Sequence, residues 1–359
     1  MSASNPRLLL FVGSYAEMSD PGVYVYEMNS ADGGLKLLDQ TNGLKNPTFL
    51  GVAPDQSKVY AIGEVSVEGE RTGEIAAFDW NGAEGKLREL NRSSSIRPSS
   101  SHIQLDASTR FAAVSGYHGG NIGLVAIEAD GTIGSLVDEQ QHTGQGADPV
   151  RQDRPHPHSV TFSPDNRYAL VADLGLDKIV VYALKSGEGQ LAYHSEVATP
   201  PGAGPRHLAF HPSGAWLYSI NEVNSSISVF SYDGEQGTLA LIDTVPTLPA
   251  DYQGENTTAE IAVSKDGRYL YGSNRGHDSI VQFAIDSTTG KLILKGHVSS
   301  QGGHPRHFAL TPDGQYLIAA NRDDNVLAVF KVEPESGALK FTGQTAQVSK
   351  PVCVKPVFL

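Results

Sequence analysis

One short phrase recurs through the chain: a polar turn, then glycine, any residue and leucine. It occurs at Gly33, Gly85, Gly131, Gly189, Gly237, Gly290 and Gly337, with isoleucine as the third letter in the copy at Gly131. Copies about fifty residues apart have the period of a propeller blade rather than of a helical solenoid. A second landmark alternates with it, a hairpin turn rich in Pro, Asp and Gly. It is seen at Ala53-Pro54-Asp55, Ser163-Pro164-Asp165, His211-Pro212-Ser213-Gly214, Ser264-Lys265-Asp266-Gly267 and Thr311-Pro312-Asp313-Gly314, with a weaker copy at Asp106-Ala107-Ser108. Runs such as Arg167-Tyr168-Ala169-Leu170-Val171-Ala172 follow these turns, and β-branched runs such as Ile179-Val180-Val181-Tyr182 lie between the two landmarks. Turn chemistry and β-branched enrichment both read as strand, four to a unit, and no stretch keeps helical periodicity for three turns. The expected fold is all-β, a seven-bladed β-propeller of four-stranded blades.

The phase of the repeat says how the ring closes. The chain enters in the second strand of a unit, Leu8 to Ser14, and leaves just after a first strand, Pro351 to Leu359. Pro351 occupies the place that Pro47, Pro157, Pro205 and Pro305 hold in other units. The C-terminal strand therefore completes the N-terminal blade, which removes exposed sheet edges. Residues 1–359 read as one domain without a linker.

Composition narrows the function. A formal charge of -13 argues against nucleic-acid and anionic-membrane partners, which call for a basic face. Cys353 is the only cysteine, so no internal disulfide framework exists and a reducing compartment fits. The apolar run Leu8 to Val12 is too short for a signal core or a membrane span. A cytoplasmic, soluble protein is expected, of a quaternary state that a closed ring leaves open.

Propeller geometry then sorts the ionisable residues. First strands line the channel and second strands run antiparallel to them, so starts of first strands and ends of second strands share one rim. His158, Arg206 and Arg306 each follow a landmark proline and should be equivalent points on their blades. His102, His207, Glu260 and His307 hold the next position. Asp173, Asn221-Glu222, Asn274-Arg275 and Asn321-Arg322 fall at or just past second-strand ends. One mouth thus gathers arginines, histidines and carboxylates on an acidic protein. Structural readings stand beside these: paired histidines between blades, asparagines as turn caps, and Arg306 or Arg322 in surface pairs with Asp323, Asp324 or Asp313. Glu222 and His158 resist that reading, one ending a strand in the blade of Arg206, the other held by Pro155 and Pro157. His156 and His158 lack a third ligand at usable spacing, so no metal site is expected. Nucleophile-elbow, phosphate-loop and paired-cysteine motifs are absent.

In its motifs the chain resembles the lactonase family of seven-bladed propellers, which contains bacterial 6-phosphogluconolactonases and the fungal carboxymuconate lactonizing enzyme. Those motifs are Gly146 through Arg151-Gln152 to Pro155-His156-Pro157-His158-Ser159, then Gly204-Pro205-Arg206-His207, Asn221-Glu222 and Ser273-Asn274-Arg275-Gly276. The likeness runs over the whole chain; the second and third units diverge most, with Ser99-Ser100-Ser101 in place of the landmark proline. Membership implies a cavity at one end of the channel whose polar residues match His158, Arg206, Glu222 and Arg275. The implied activity is hydrolysis of an anionic sugar lactone, 6-phosphogluconolactone first, without a cofactor. Ester hydrolysis requires a base for water and a positive group where the oxyanion develops. His158 or Glu222 would be the base, Glu222 only with a raised pKa, and Arg206 would face the carbonyl oxygen. Arg275, or else Arg306 or Arg322, would hold the phosphate, with Asn274, His207 and His307 as further substrate contacts. A lactone-forming cycloisomerase would use the same arginines for carboxylates. A non-catalytic propeller that binds protein partners is the reading from another class.

Overall fold

In the computed structural model, which describes residues 7–55 and 57–359, the strands form seven four-stranded antiparallel sheets arranged as blades. Blade 1 consists of Leu8–Ser14, Val23–Met28, Leu35–Thr41 and the C-terminal strand Pro351–Phe358. That last strand pairs with the first, Leu8 opposite Phe358 and Gly13 opposite Cys353, so the ring closes as the phase of the repeat predicts. Blades 2 to 7 follow in chain order, and their innermost strands are Leu50–Val52, His102–Leu105, Pro157–Phe162, Pro205–Phe210, Thr257–Val263 and Pro305–Leu310. Among the described residues, no helix is long and apolar enough to cross a membrane.

Both landmarks have physical causes. All seven Gly-x-Leu glycines sit in the turn before an outermost strand, with φ between +63° and +85°, a region where a side chain is strained and glycine is not. In the other turn, the hydroxyl of Ser163, Ser264 or Thr311 donates to Asp165, Asp266 or Asp313 at 2.5 to 2.6 Å. The same hydroxyl accepts the amide of Tyr168, Tyr269 or Tyr316 at 2.9 to 3.0 Å. Each such turn starts the second strand in register.

Blades are joined by apolar faces and by tyrosines. Leu170, Leu217 and Phe230 pack between blades 4 and 5, and Tyr271, Leu317 and Phe330 between blades 6 and 7. Within these layers Tyr60 donates to the carbonyl of Gly131 at 2.9 Å, Tyr218 to Gly290 at 2.9 Å and Tyr271 to Gly337 at 2.7 Å. The glycine that makes one blade's turn is thus the acceptor for the preceding blade's tyrosine. Each such bond contributes about 1 kcal/mol and fixes the stagger between neighbours. The result is a stiff ring whose inner strands converge on a channel.

Candidate active site

Irregularities in the inner strands build the site. In blade 4, Pro157 pairs with Asp173 and Ser159 with Ala172; in blade 5, Pro205 pairs with Asn221 and His207 with Ile220; in blade 7, Pro305 pairs with Asn321 and His307 with Ala320. His158, Arg206 and Arg306 are therefore the extra residues of three β-bulges. A bulge lifts its extra residue out of the ladder and re-aims the side chain. Here all three border a cavity of about 340 Å³ at one mouth, together with His207, His307 and Glu222.

Glu222 is the hub of this mouth. Its Oε1 accepts from Arg151 Nη2 at 2.5 Å, its Oε2 accepts from Arg206 Nε at 2.9 Å, and Arg275 Nη2 forms an ion pair with the same Oε2 at 2.8 Å. His158 Nε2 stands 4.0 Å from the same oxygen. Burial opposes the charge on Glu222, but Arg275, Arg206 and Arg151 overcome it and hold the carboxyl well below its ordinary range. Three guanidiniums against one carboxylate leave the cluster cationic. Arg206 is buried and spends Nη1 on the carbonyl of Ala259 at 2.7 Å; its Nη2 has no protein partner among the described residues. Burial and the neighbouring Arg275 and Arg306 push Arg206 down to about 9, still charged at neutral pH. Arg306 lies over the Tyr15 ring at 5.7 Å, and no carboxylate among the described residues pairs with it.

One layer deeper, Glu260 accepts from His207 Nδ1 at 3.0 and 3.1 Å, and His307 Nε2 stands 3.0 Å from its Oε2. Burial holds His158 and His207 well below the ordinary imidazole value, with Arg206 adding to the effect, so both rings are neutral at pH 7. Burial likewise lowers His307 to about 3, against the pull of Glu260.

The placement of the predicted residues is uneven. His158, Arg206, Glu222, Arg306, His207 and His307 border the cavity. His307 has no nitrogen left for a ligand, since Nδ1 accepts the Val354 amide at 3.3 Å. Arg275 stands behind Glu222, with Nη2 also on the Thr258 carbonyl at 2.5 Å, and does not border the cavity. Asn274 is a cap: its amide bonds the Thr247 hydroxyl and carbonyl, Asn256 and Ser279. Arg322 lies outside the mouth, with Nε on Asp323 at 2.6 Å and Nη2 near His304, the surface pairing of its structural reading. Glu222 as a base required a raised pKa, and the three arginines impose the opposite. His156 is committed to the Tyr117 carbonyl at 2.7 Å and stacks on that ring.

Further residues buttress the mouth or complete its walls. Arg151 reaches Glu222 because its neighbour Gln152 pins the loop, donating to Leu174 and Asp177 at 2.8 and 2.6 Å. Tyr117 and the Arg71–Glu64 pair face the cavity itself. That pair sits on a long hairpin of blade 2, Lys58–Val67 and Glu70–Asn81, which overhangs the mouth. The signals were the Arg-Gln pair itself and the unusual length of this hairpin.

Fold and site define a class: a seven-bladed propeller with a cationic, imidazole-lined cavity at one mouth. A family model described as "Lactonase, 7-bladed beta-propeller" matches residues 9–356. The chain belongs to this lactonase family. It is 32% identical to a 6-phosphogluconolactonase of Bacillus subtilis over 96% of this chain and 97% of that one. It is 33% identical to a 6-phosphogluconolactonase of Formosa agariphila over 84% and 86%. Among solved structures, a periplasmic gluconolactonase of Pseudomonas aeruginosa superposes with a TM-score of 0.90 at 32% identity, covering 99% of both chains.

Proposed function

We propose that this chain hydrolyses an anionic sugar lactone, with 6-phosphogluconolactone as its substrate. The observation that carries the reading is the Glu222 hub, which keeps arginine charge beside neutral imidazoles in a cavity sized for a small molecule. In this reading Arg206 directs its free Nη2 to the carbonyl oxygen, where negative charge grows as water adds. A neutral imidazole, His158 or His207, takes the proton from that water. Glu222 holds the arginines in place and does not act as a base. Arg306, free of carboxylate partners, binds the phosphate; Arg275 supports Glu222 from behind. The names borne by relatives more than 30% identical favour lactone hydrolysis over lactone formation, and a concave charged mouth favours a small ligand over a protein partner. The lone, buried Cys353 fits a cytoplasmic location.

The phosphate assignment is tested with Arg306→Ala on two lactones. A charge-assisted contact contributes about 2 kcal/mol. KM for 6-phosphogluconolactone should therefore rise about 30-fold, while kcat/KM for unphosphorylated gluconolactone stays within about twofold. Equal losses on both lactones would remove the phosphate role from Arg306.

A further inference from the structure

We propose that His207 is the general base of this hydrolysis and that Glu260, behind it, is its positioning residue; the proposal rests on the lactonase reading above. The contacts of Glu260 fix the tautomer of His207. His307 Nδ1 accepts the Val354 amide at 3.3 Å, so its proton is on Nε2, which faces Glu260 Oε2 at 3.0 Å. The Ile261 amide donates to Oε1 at 3.0 Å. A carboxylate surrounded by donors is an acceptor only, so His207 Nδ1, 3.0 and 3.1 Å from its two oxygens, must carry the proton. That leaves the lone pair of His207 on Nε2. No protein group among the described residues bonds that atom, nor is it one of the sealed polar atoms without a partner. The ring borders the cavity, whereas Glu260 does not.

His158, the other imidazole, lacks this support. Its Nδ1 is sealed without a partner, and the carboxylate nearest to it, Glu222 at 4.0 Å, already holds three arginines. A base whose far nitrogen is held by a carboxylate has both its tautomer and its orientation set before substrate arrives. Arg206 and His207 are consecutive residues at the bulge of blade 5, so one backbone irregularity supplies both the oxyanion donor and the base. As water oxygen bonds to the carbonyl carbon, His207 Nε2 takes one water proton and the carbonyl π pair moves onto oxygen, facing Arg206. On collapse the C=O re-forms and the ring C–O bond breaks with its electron pair on the ring oxygen, which takes the proton back from Nε2. The acid formed releases its own proton to solvent.

The charged and titratable groups around His207 are Arg206 beside it, His158, His102, Glu222, Glu260, His307, and Lys355 and Arg306 across the channel. Only Glu260 among them bonds its ring. Glu260→Gln removes the charge that stabilises the imidazolium while keeping the shape. It should lower kcat on 6-phosphogluconolactone about 100-fold with KM within about threefold, and move the acid limb of kcat to lower pH. Glu260→Asp should recover part of kcat. Independently of activity, the imidazole ¹⁵N spectrum of the wild type should show the proton of His207 on Nδ1. Wild type no faster than spontaneous opening sinks the lactonase reading and this proposal with it. An active wild type whose Glu260→Gln variant stays within twofold in kcat, or loses kcat with an unmoved acid limb, sinks the proposal alone. A proton on Nε2 also overturns it, even where the variant fails to fold.

Discussion

Arg206→Ala is expected to lower kcat/KM on 6-phosphogluconolactone about 1,000-fold, with most of the loss in kcat. The Arg206 side chain is almost wholly buried, so it does not wander, and its free Nη2 is fixed by Nε on Glu222 and Nη1 on Ala259. A donor held in this way before reaction needs no reorganisation when the oxyanion forms, and losing one such donor costs about 10²- to 10³-fold in kcat. Removal also withdraws one of the three guanidiniums from Glu222, which lets the remaining cluster shift. Arg206→Lys should restore little, because an ammonium cannot satisfy Glu222, Ala259 and a substrate oxygen in one plane. Steady-state kinetics on the purified variants checks this, and a loss smaller than tenfold in kcat would move the oxyanion role elsewhere.

Glu222→Ala is the corresponding test of stability. Deleting the hub leaves Arg151, Arg206 and Arg275 facing one another without a counter-charge, two of them almost wholly buried. Breaking a buried pair from one side typically costs about 3–5 kcal/mol, and Arg151, partly exposed, can relieve some of this by turning to solvent. The denaturant midpoint should fall accordingly, and activity should vanish. The sign of the pH dependence follows from the direction of the Glu222 shift. Its folded pKa is depressed below the ordinary 4.5, so its contribution is complete above that value and is lost as pH falls below it. The stability gap between wild type and Glu222→Gln should therefore be widest near neutral pH and shrink below about pH 4.5. A gap that is flat with pH would mean that the carboxylate is not ionised in the folded state.

Why the ring was legible and parts of the site were not comes down to what each feature depends on. Gly237 and its six equivalents answer to local backbone geometry, and Asp165, Asp266 and Asp313 to a turn of a few residues, so both repeats appear in the residues themselves. The closing strand follows from counting units, and the shared rim of His158, Arg206 and Arg306 from strand direction. Side-chain aim is another matter. The bulges that turn His158, Arg206 and Arg306 inward are register shifts, set by how two strands settle against each other. Arg275 has the right position in its strand, yet Glu222 and the Thr258 carbonyl draw its guanidinium behind the cavity wall. Asn274 and Arg322 obey their nearest neighbours, Thr247 and Asp323. Arg151 arrives on a loop whose path depends on Gln152 binding residues more than twenty positions away. The pKa of Glu222 is the clearest case: burial alone would raise it, and only the three-dimensional meeting of arginines from separate segments reverses the sign.

The most direct measurement is the rate at which the wild-type protein opens freshly prepared 6-phosphogluconolactone, followed by proton release at constant pH with spontaneous opening subtracted. Turnover well above that background, and a kcat/KM for gluconolactone lower by about the 30-fold that one phosphate contact is worth, is the predicted result. No rate above background on either lactone would contradict the assignment of this mouth to lactone hydrolysis.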